Sequence, residues 1–349
     1  MKGRVVILDE ISGRQMAALV VDGKLEELSV DPETDVSLPG AIYRAIADRP
    51  VKGQGGIFVK LPQGSGFLRQ ISGIAPGQRL LVQVTGPAEP GKALPVSVRL
   101  LFKSRFAIVT PDAPGLNISR RIKDEPLRAD LAEIAASGMA GAPEMLGLIL
   151  RSACEDAEPD AIAEDIAAMR GLAEAVLVDT KGEAELLVDG AGAHDLAFRD
   201  WLDPAPDEAV MEPGGFAEHG VDALIEALLH PRVDLTGGGH MMIEPTRALV
   251  AVDVNTGPDT SPAASLKVNI AAVRDLPRQL RLRGLGGQIV VDFAPMSKKD
   301  RAILDQVVKA AFKGDGEANL AGWTTLGLYE LTRKRDRLPL AEVIGGLFT

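Results

Sequence analysis

Residues 248–257 read ALVAVDVNTG. Strand alternation puts Val250, Val252 and Val254 on one face and Ala251, Asp253 and Asn255 on the other. The valines anchor the strand, while a carboxylate and a carboxamide project side by side at its C-terminal end, where Gly257 and Pro258 stop it. Upstream, HMMIEPTR (240–247) reads as the first arm of a hairpin leading into this strand. Downstream, residues 263–283 place Leu266, Ile270, Val273, Leu276 and Leu280 at helical spacing, with Pro277 expected to kink the helix or open a hydrogen bond. GGQIVVDFAPM (286–296) is then a second strand with Asp292 near its end. Strand, helix, strand of this length is a crossover unit, which makes the two strands parallel and their connection right-handed. Parallel strands bring their C-terminal ends to the side of the sheet where open α/β folds bind ligands. Asp253, Asn255 and Asp292 therefore converge.

Two carboxylates and an amide oxygen suit a hard cation such as Mg²⁺ that keeps several waters and bridges to substrate phosphate. A single Asp at a strand end would equally cap a loop; the pair with Asn255 points to the metal. His194, His219, His230 and His240 show no ligand spacing. The single Cys154 allows neither an intrachain disulfide nor a multi-cysteine zinc site, and reads as a small buried hydrophobe.

With 349 residues, 46% hydrophobic and 25% charged, the chain has the composition of a globular protein of two to four folded units. No apolar run approaches the roughly 18 residues of a membrane span, and MKGRVVILDE lacks a signal-peptide core, so a cytoplasmic protein is expected. The net charge of −11 is uneven: residues 155–212 carry −14, leaving +3 for the rest. Basic residues cluster in NISRRIK, RDLPRQLRLR, MSKKDR and LTRKRDR. Each cluster taken singly is a solvated helix face; four beside candidate chemistry point to a polyanionic partner.

Near the N-terminus, Asp22-Gly23 joins two strand-like runs into a hairpin. GGIFVKL, GFLRQI, RLLVQVTG and PVSVRLL, each bounded by Gly or Pro, suggest a small closed β-barrel. On it Phe58 and Phe67 lie beside Lys60 and Arg69, an arrangement that either stacks bases and holds phosphates or simply places two phenylalanines in the core. FAIVT and LGLILRS read as strands, PLRADLAEIAAS and PDAIAEDIAAMRGLAEA as helices. AVLVDTKGEAELLV (175–188) reads as a hairpin, and FAEHGVDALIEALLHPRV (216–233) as one helix stopped by Pro231.

Taken together, ALVAVDVNTG, RQLRLRGLGGQIVVDF (278–293), GRVVILDE (3–10), GGIFVKLPQGSGFL (55–68), NISRRI (117–122) and LGLILRS (146–152) resemble the ribonuclease E/G family over most of the chain. The resemblance implies a multidomain α+β and α/β fold. A ribonuclease-H-like part (1–34 and 179–235) would be interrupted by an OB-fold RNA-binding module (35–103) and a 5′-sensor region (104–178), and followed by a deoxyribonuclease-I-like catalytic α/β part (236–349). It implies a Mg²⁺-dependent endoribonuclease that hydrolyses single-stranded RNA in RNA processing or decay, leaving 5′-phosphate ends. Asp253 and Asp292 would hold the Mg²⁺ and Asn255 would position the same site. Arg151 and Ser152 match the pair that grips a 5′-monophosphate, Ser standing where the family commonly has Thr. Phe58 and Phe67 match positions that contact RNA, with Lys60 beside them. Arg278 and Arg281 would either offset backbone charge or form a helix face.

Three departures stand out. Pro295 lies where the family usually carries another acidic residue; the arginine that helps bind the 5′ phosphate falls near Asn319; and the Cys-rich segment that links subunits through zinc is missing, so any homodimer is expected to use another surface. Two rival classes remain: an RNA-binding protein that does not cleave, and a different Mg²⁺ phosphotransferase or phosphatase, although no GxxxxGKS loop occurs.

Overall fold

A computed structural model describes residues 2–33, 36–51, 55–69, 73–89, 91–259, 261, 263–345 and 347. It divides into two compact units, one made of Met1–Pro32 with Val210–Thr349 and the other of Glu33–Ala209.

In the first unit the described residues form a six-stranded sheet in the order Arg232–Asp234, His240–Pro245, Val250–Asn255, Gly287–Asp292, Tyr329–Arg333, Ala318–Trp323. The central pair, Val250–Asn255 with Gly287–Asp292, is parallel as the crossover requires; the other neighbours are antiparallel. Val250, Val252 and Val254 are buried with Ile289 and Val291 against Val273, Leu276 and Leu280 of helix Ala264–Leu282 and Leu304 and Val308 of helix Lys298–Ala311. Each such side chain contributes roughly 1.5–3 kcal/mol on burial. A one-residue slip would exchange the valines for Asp253, so the apolar face fixes the register of the polar one.

Helix Ala264–Leu282 is apolar on more than one side. Leu276 and Leu280 pack on the six-stranded sheet. Leu282 instead joins Val5, Ile7, Leu25 and Leu28 of the antiparallel strands Arg4–Ile11, Arg14–Val21 and Lys24–Val30. Pro277 lies buried inside the helix and removes the donor that the Val273 carbonyl would otherwise receive. Near the first strand, buried Asp9 accepts from Gly214 N at 3.0 Å and Phe216 N at 2.9 Å. The single helix expected over 216–233 is two, Gly215–Glu218 and Val221–Leu229. Gly220, at φ +68°, takes the left-handed conformation that ends the first.

In the second unit, strands Ile42–Val51, Gly56–Lys60, Ser65–Arg69, Leu94–Ser97 and Arg79–Val84 follow one another in that order and close back onto Ile42–Val51. This mixed five-stranded barrel, with Ser65–Arg69 and Leu94–Ser97 parallel, fits an OB-fold. Ile57, Val59, Leu68, Val82 and Val96 fill it. Strand Glu185–Val188 is added to the outside of Ile42–Val51. Buried Arg44 fastens it, pairing with Asp179 and Glu185 and donating to the Glu183 carbonyl at 2.8 Å. The hairpin expected over 175–188 is thus corrected. Residues 175–178 finish helix Pro159–Val178, whose apolar stripe runs on through Val176, and the strand pairs with the barrel instead.

The rest of this unit is a sheet of Gly115–Ile118, Leu146–Leu150, Ala107–Pro111 and Phe102–Lys103 packed on helices Glu125–Gly138 and Pro159–Val178. Cys154 is inside that core, and burial pushes its thiol up to about 11, as befits a structural cysteine. Among the described residues no helix is long and apolar enough to cross a membrane.

Arg333, on the strand beside Gly287–Asp292, pairs at 2.9 Å with both Asp315 and Asp336, its side chain 2% exposed and that of Asp315 8%. Arg333→Ala leaves a buried carboxylate uncompensated and is expected to cost about 3–5 kcal/mol, read as a lower midpoint in urea unfolding.

Candidate active site

Asp253 and Asp292 are direct partners across the parallel pair, on strands about 4.8 Å apart. Both side chains are exposed. Asn255, two residues along the same face, donates from Nδ2 to Asp253 Oδ2 at 2.8 Å. Among the described residues neither carboxylate is in an ion pair with Lys or Arg. Like charges placed directly opposite each other on a sheet repel, so the pair is a local concentration of negative charge without a Lys or Arg ion pair among the described residues.

The donor set is all oxygen and fits a hard divalent cation. No group of three or more His, Cys, Asp or Glu among the described residues forms a protein cage. Two carboxylates with open positions for water and substrate oxygens are the arrangement Mg²⁺ prefers. The end of the strand is also rigid. Gly257 takes φ +65°, and a Cβ there would lie 2.3 Å from the Gly238 carbonyl oxygen; a Cβ on Gly239 would lie 2.6 Å from that of Asn255. The 236–239 turn and residues 255–257 therefore pack backbone against backbone, which only glycine permits.

Arg278 and Arg281, on the crossover helix, are turned to structural use. Arg278 pairs with Asp275 at 2.7 Å and donates to the Leu25 carbonyl at 2.7 Å. Arg281 pairs with Glu27 at 2.6 Å and donates to the Glu26 carbonyl at 3.1 Å. Asp275 is an i,i+3 neighbour, but sequence clustering gives no sign of the partners on Leu25, Glu26 and Glu27, which lie about 250 residues away in the chain.

Arg151 and Ser152 follow strand Leu146–Leu150 and also meet internal partners. Arg151 Nη1 donates to the carbonyls of Ser104 at 2.6 Å, Arg105 at 3.2 Å and Arg199 at 3.0 Å, and Nη2 donates to Asp200 at 2.6 Å. Ser152 Oγ is 2.7 Å from an Asp203 carboxylate oxygen. Burial on its own would push the Asp200 carboxyl up. Hydrogen bonds from Arg199 and Lys103 outweigh it and hold the carboxyl well below the usual range. The stretch FRDWLD (198–203), unremarked in the sequence, thus supplies anions to the pair expected to bind one.

On the barrel, Phe58 and Phe67 are cross-strand partners with ring centroids 5.2 Å apart. Neither belongs to the barrel core; alternation puts Phe58 and Lys60 of one strand and Phe67 and Arg69 of the next on the outer face. The Arg49 guanidinium lies 5.6 Å from the Phe58 centroid. Gly56 makes room for this arrangement, since a Cβ there would meet the Phe67 ring at 2.6 Å.

A family model described as "Ribonuclease E/G family" matches residues 102–215 and 212–336. Over 99% of its length the chain is 30% identical to a protein named Ribonuclease E of Synechocystis sp. (strain ATCC 27184 / PCC 6803 / Kazusa), covering 58% of that protein. It is 29% identical, again over 99% of its length, to Ribonuclease E of Nostoc sp. (strain PCC 7120 / SAG 25.82 / UTEX 2576), covering 57% of it. With Ribonuclease G of Escherichia coli (strain K12) it shares 26% identity, over 94% of the chain and 79% of the relative. It therefore spans a little over half the length of the two cyanobacterial relatives. The matched segments take in Arg151, Ser152, Asp253, Asn255 and Asp292, and the chain belongs to the ribonuclease E/G family.

Proposed function

We propose that this protein is a Mg²⁺-dependent endoribonuclease that hydrolyses phosphodiester bonds of single-stranded RNA in RNA processing or decay, leaving 5′-phosphate ends, in the cytoplasm. One observation carries the reading: Asp253 and Asp292 stand in register, exposed and without a Lys or Arg partner among the described residues. The names of the relatives support it. In the same reading the six-stranded α/β part corresponds to the deoxyribonuclease-I-like catalytic part. The sheet begun by Arg4–Ile11 corresponds to the ribonuclease-H-like part, and the barrel to the RNA-binding module.

Asp253 and Asp292 would hold the ion, and Asn255, by its bond to Asp253 Oδ2, would restrain that carboxylate. When bound, Mg²⁺ offers the scissile phosphate a Lewis acid and lowers the pKa of an attacking water. The sheet contributes rigidity: both carboxylates sit on hydrogen-bonded strands whose opposite face is core. On the barrel, Phe58 and Phe67 present aromatic faces to bases while Arg49, Lys60 and Arg69 offset backbone charge. Arg151 and Ser152, engaged with Asp200 and Asp203, support weak dependence on the 5′ end.

Cleavage of an A/U-rich single strand is expected to stop with EDTA and to return with added Mg²⁺. Asp253→Asn and Asp292→Asn, with unchanged circular dichroism, are expected to bind RNA and not cut it; cleavage at the parent rate by either would sink the assignment. Phe58→Ala or Phe67→Ala should lose about 1–3 kcal/mol of RNA affinity, seen as a raised KM with kcat nearly constant. Matched 5′-monophosphate and 5′-triphosphate RNAs are expected to be cut at closely similar rates, and a strong preference for the monophosphate would show that the Asp200 contact opens for substrate.

A further inference from the structure

Asn269 sits in the second turn of helix Ala264–Leu282, fully buried, beside Val268, Ala272 and Val273 of the apolar core. Burying an amide there costs roughly 1–3 kcal/mol unless it is hydrogen-bonded. Asn269 meets that need chiefly with one residue: Nδ2 donates to the Ala294 carbonyl at 2.9 Å, Ala294 N donates to Oδ1 at 3.0 Å, and Nδ2 has a longer contact of 3.9 Å to Met296 Sδ. The side-chain amide thus acts as a missing strand neighbour, making the pair of bonds that a ladder would make to Ala294.

Ala294 lies two residues beyond Asp292, where the strand Gly287–Asp292 has ended. On one side of that strand the last ladder partner is Tyr329, opposite Val291; on the other it is Asp253, opposite Asp292 itself. Past this point the path is set by Phe293, packed against Trp323 and Tyr329 with centroids 5.6 and 6.2 Å away, and by the Asn269 bracket on Ala294. Asp292 is therefore clamped between a ladder behind it and an anchored residue ahead of it. An apolar side chain at position 269 would fill the core equally well but would leave both Ala294 groups without these bonds.

We infer that Asn269 is a positioning residue that holds the Asp292 carboxylate in place for the cation, a role that rests on the reading of Asp253 and Asp292 as the ion's ligands. Helix Ala264–Leu282 is also the crossover that joins the two ligand strands, so it connects the two carboxylates in sequence and braces one of them in space. Residues that orient a ligand from behind typically set metal affinity or activity by about 10–100-fold.

The test uses the full chain with Mn²⁺ as probe, its binding followed by loss of the free-ion paramagnetic resonance signal, beside cleavage of a single-stranded RNA at varied Mg²⁺. Asn269→Ala is expected to bind Mn²⁺ about 10–100-fold more weakly, to need correspondingly more Mg²⁺ for half-maximal rate, and to keep the parent KM for RNA. Val273→Ala removes core volume from the same helix. It should lower the unfolding midpoint while leaving Mn²⁺ affinity at the parent value, which separates positioning from general destabilisation. Should Asn269→Ala not fold, Asn269→Ser, which keeps a hydroxyl in the site, is read in the same way. Parental Mn²⁺ and Mg²⁺ dependence in the folded variant would overturn the role of Asn269 and leave the metal site standing. A parent chain that binds no Mn²⁺ would overturn the metal site and this inference with it.

Discussion

The register that sets Asp253 opposite Asp292 is the constraint on which the candidate site depends. Their strands are parallel and in register, so the two side chains leave the sheet from adjacent positions as long as the ladder holds. What holds the ladder is the reverse face, where Val250, Val252, Val254, Ile289 and Val291 are sealed under two helices. Hydrophobic burial on one face thus fixes the spacing of the polar residues on the other. The glycines at 239 and 257 serve the same end, letting the turn and the strand end press together so that the polar edge does not fray.

Much of this was legible in the sequence, and for a local reason. A period of two over 248–255, a period of 3.6 over 263–283 and a short strand ending at Asp292 are patterns within about 45 residues, enough to specify a parallel crossover and the convergence of its ends. The barrel was legible in the same way, because each short strand is punctuated by Gly or Pro. Misreadings arose where local pattern and tertiary demand diverge. AVLV at 175–178 is as good a strand as a helix end by composition, and the helical stripe through Ile162, Ile166, Ala173 and Val176 decides it. Gly220 is tolerable inside a helix by propensity, yet its left-handed φ breaks the segment in two.

The arginines show a different limit. Arg278 and Arg281 read in sequence as cations of a basic cluster, and Arg151, by resemblance, as half of a 5′-monophosphate grip. In the folded chain each guanidinium donates to backbone carbonyls of distant segments, and Arg151 and Arg281 pair with distant carboxylates as well. Such contacts follow no spacing rule, so sequence can suggest a cation but not whether it is already employed. By contrast, Arg49, Lys60 and Arg69 lie on strands whose alternate residues fill the barrel, and period-two alternation alone assigns Lys60 and Arg69 to the outer face with the phenylalanines. Cations on a regular strand are therefore safer to read from sequence than cations on a helix packed on more than one side.

Asn269 was passed over for a related reason. A polar residue between Val268 and Ile270, on the face that a helix turns to its core, looks like noise in a periodic pattern, and nothing within a turn or two of it explains the choice. Its partner lies 25 residues later, just past a strand end. An amide is the one neutral side chain that donates and accepts in the same plane at the spacing of a peptide group, so a buried Asn bonded to both backbone groups of one residue substitutes for a strand. In a sheet where Asp292 stands at the last paired position, that substitution extends the order of the sheet by two residues, to the point where Asp292 is supported from both directions.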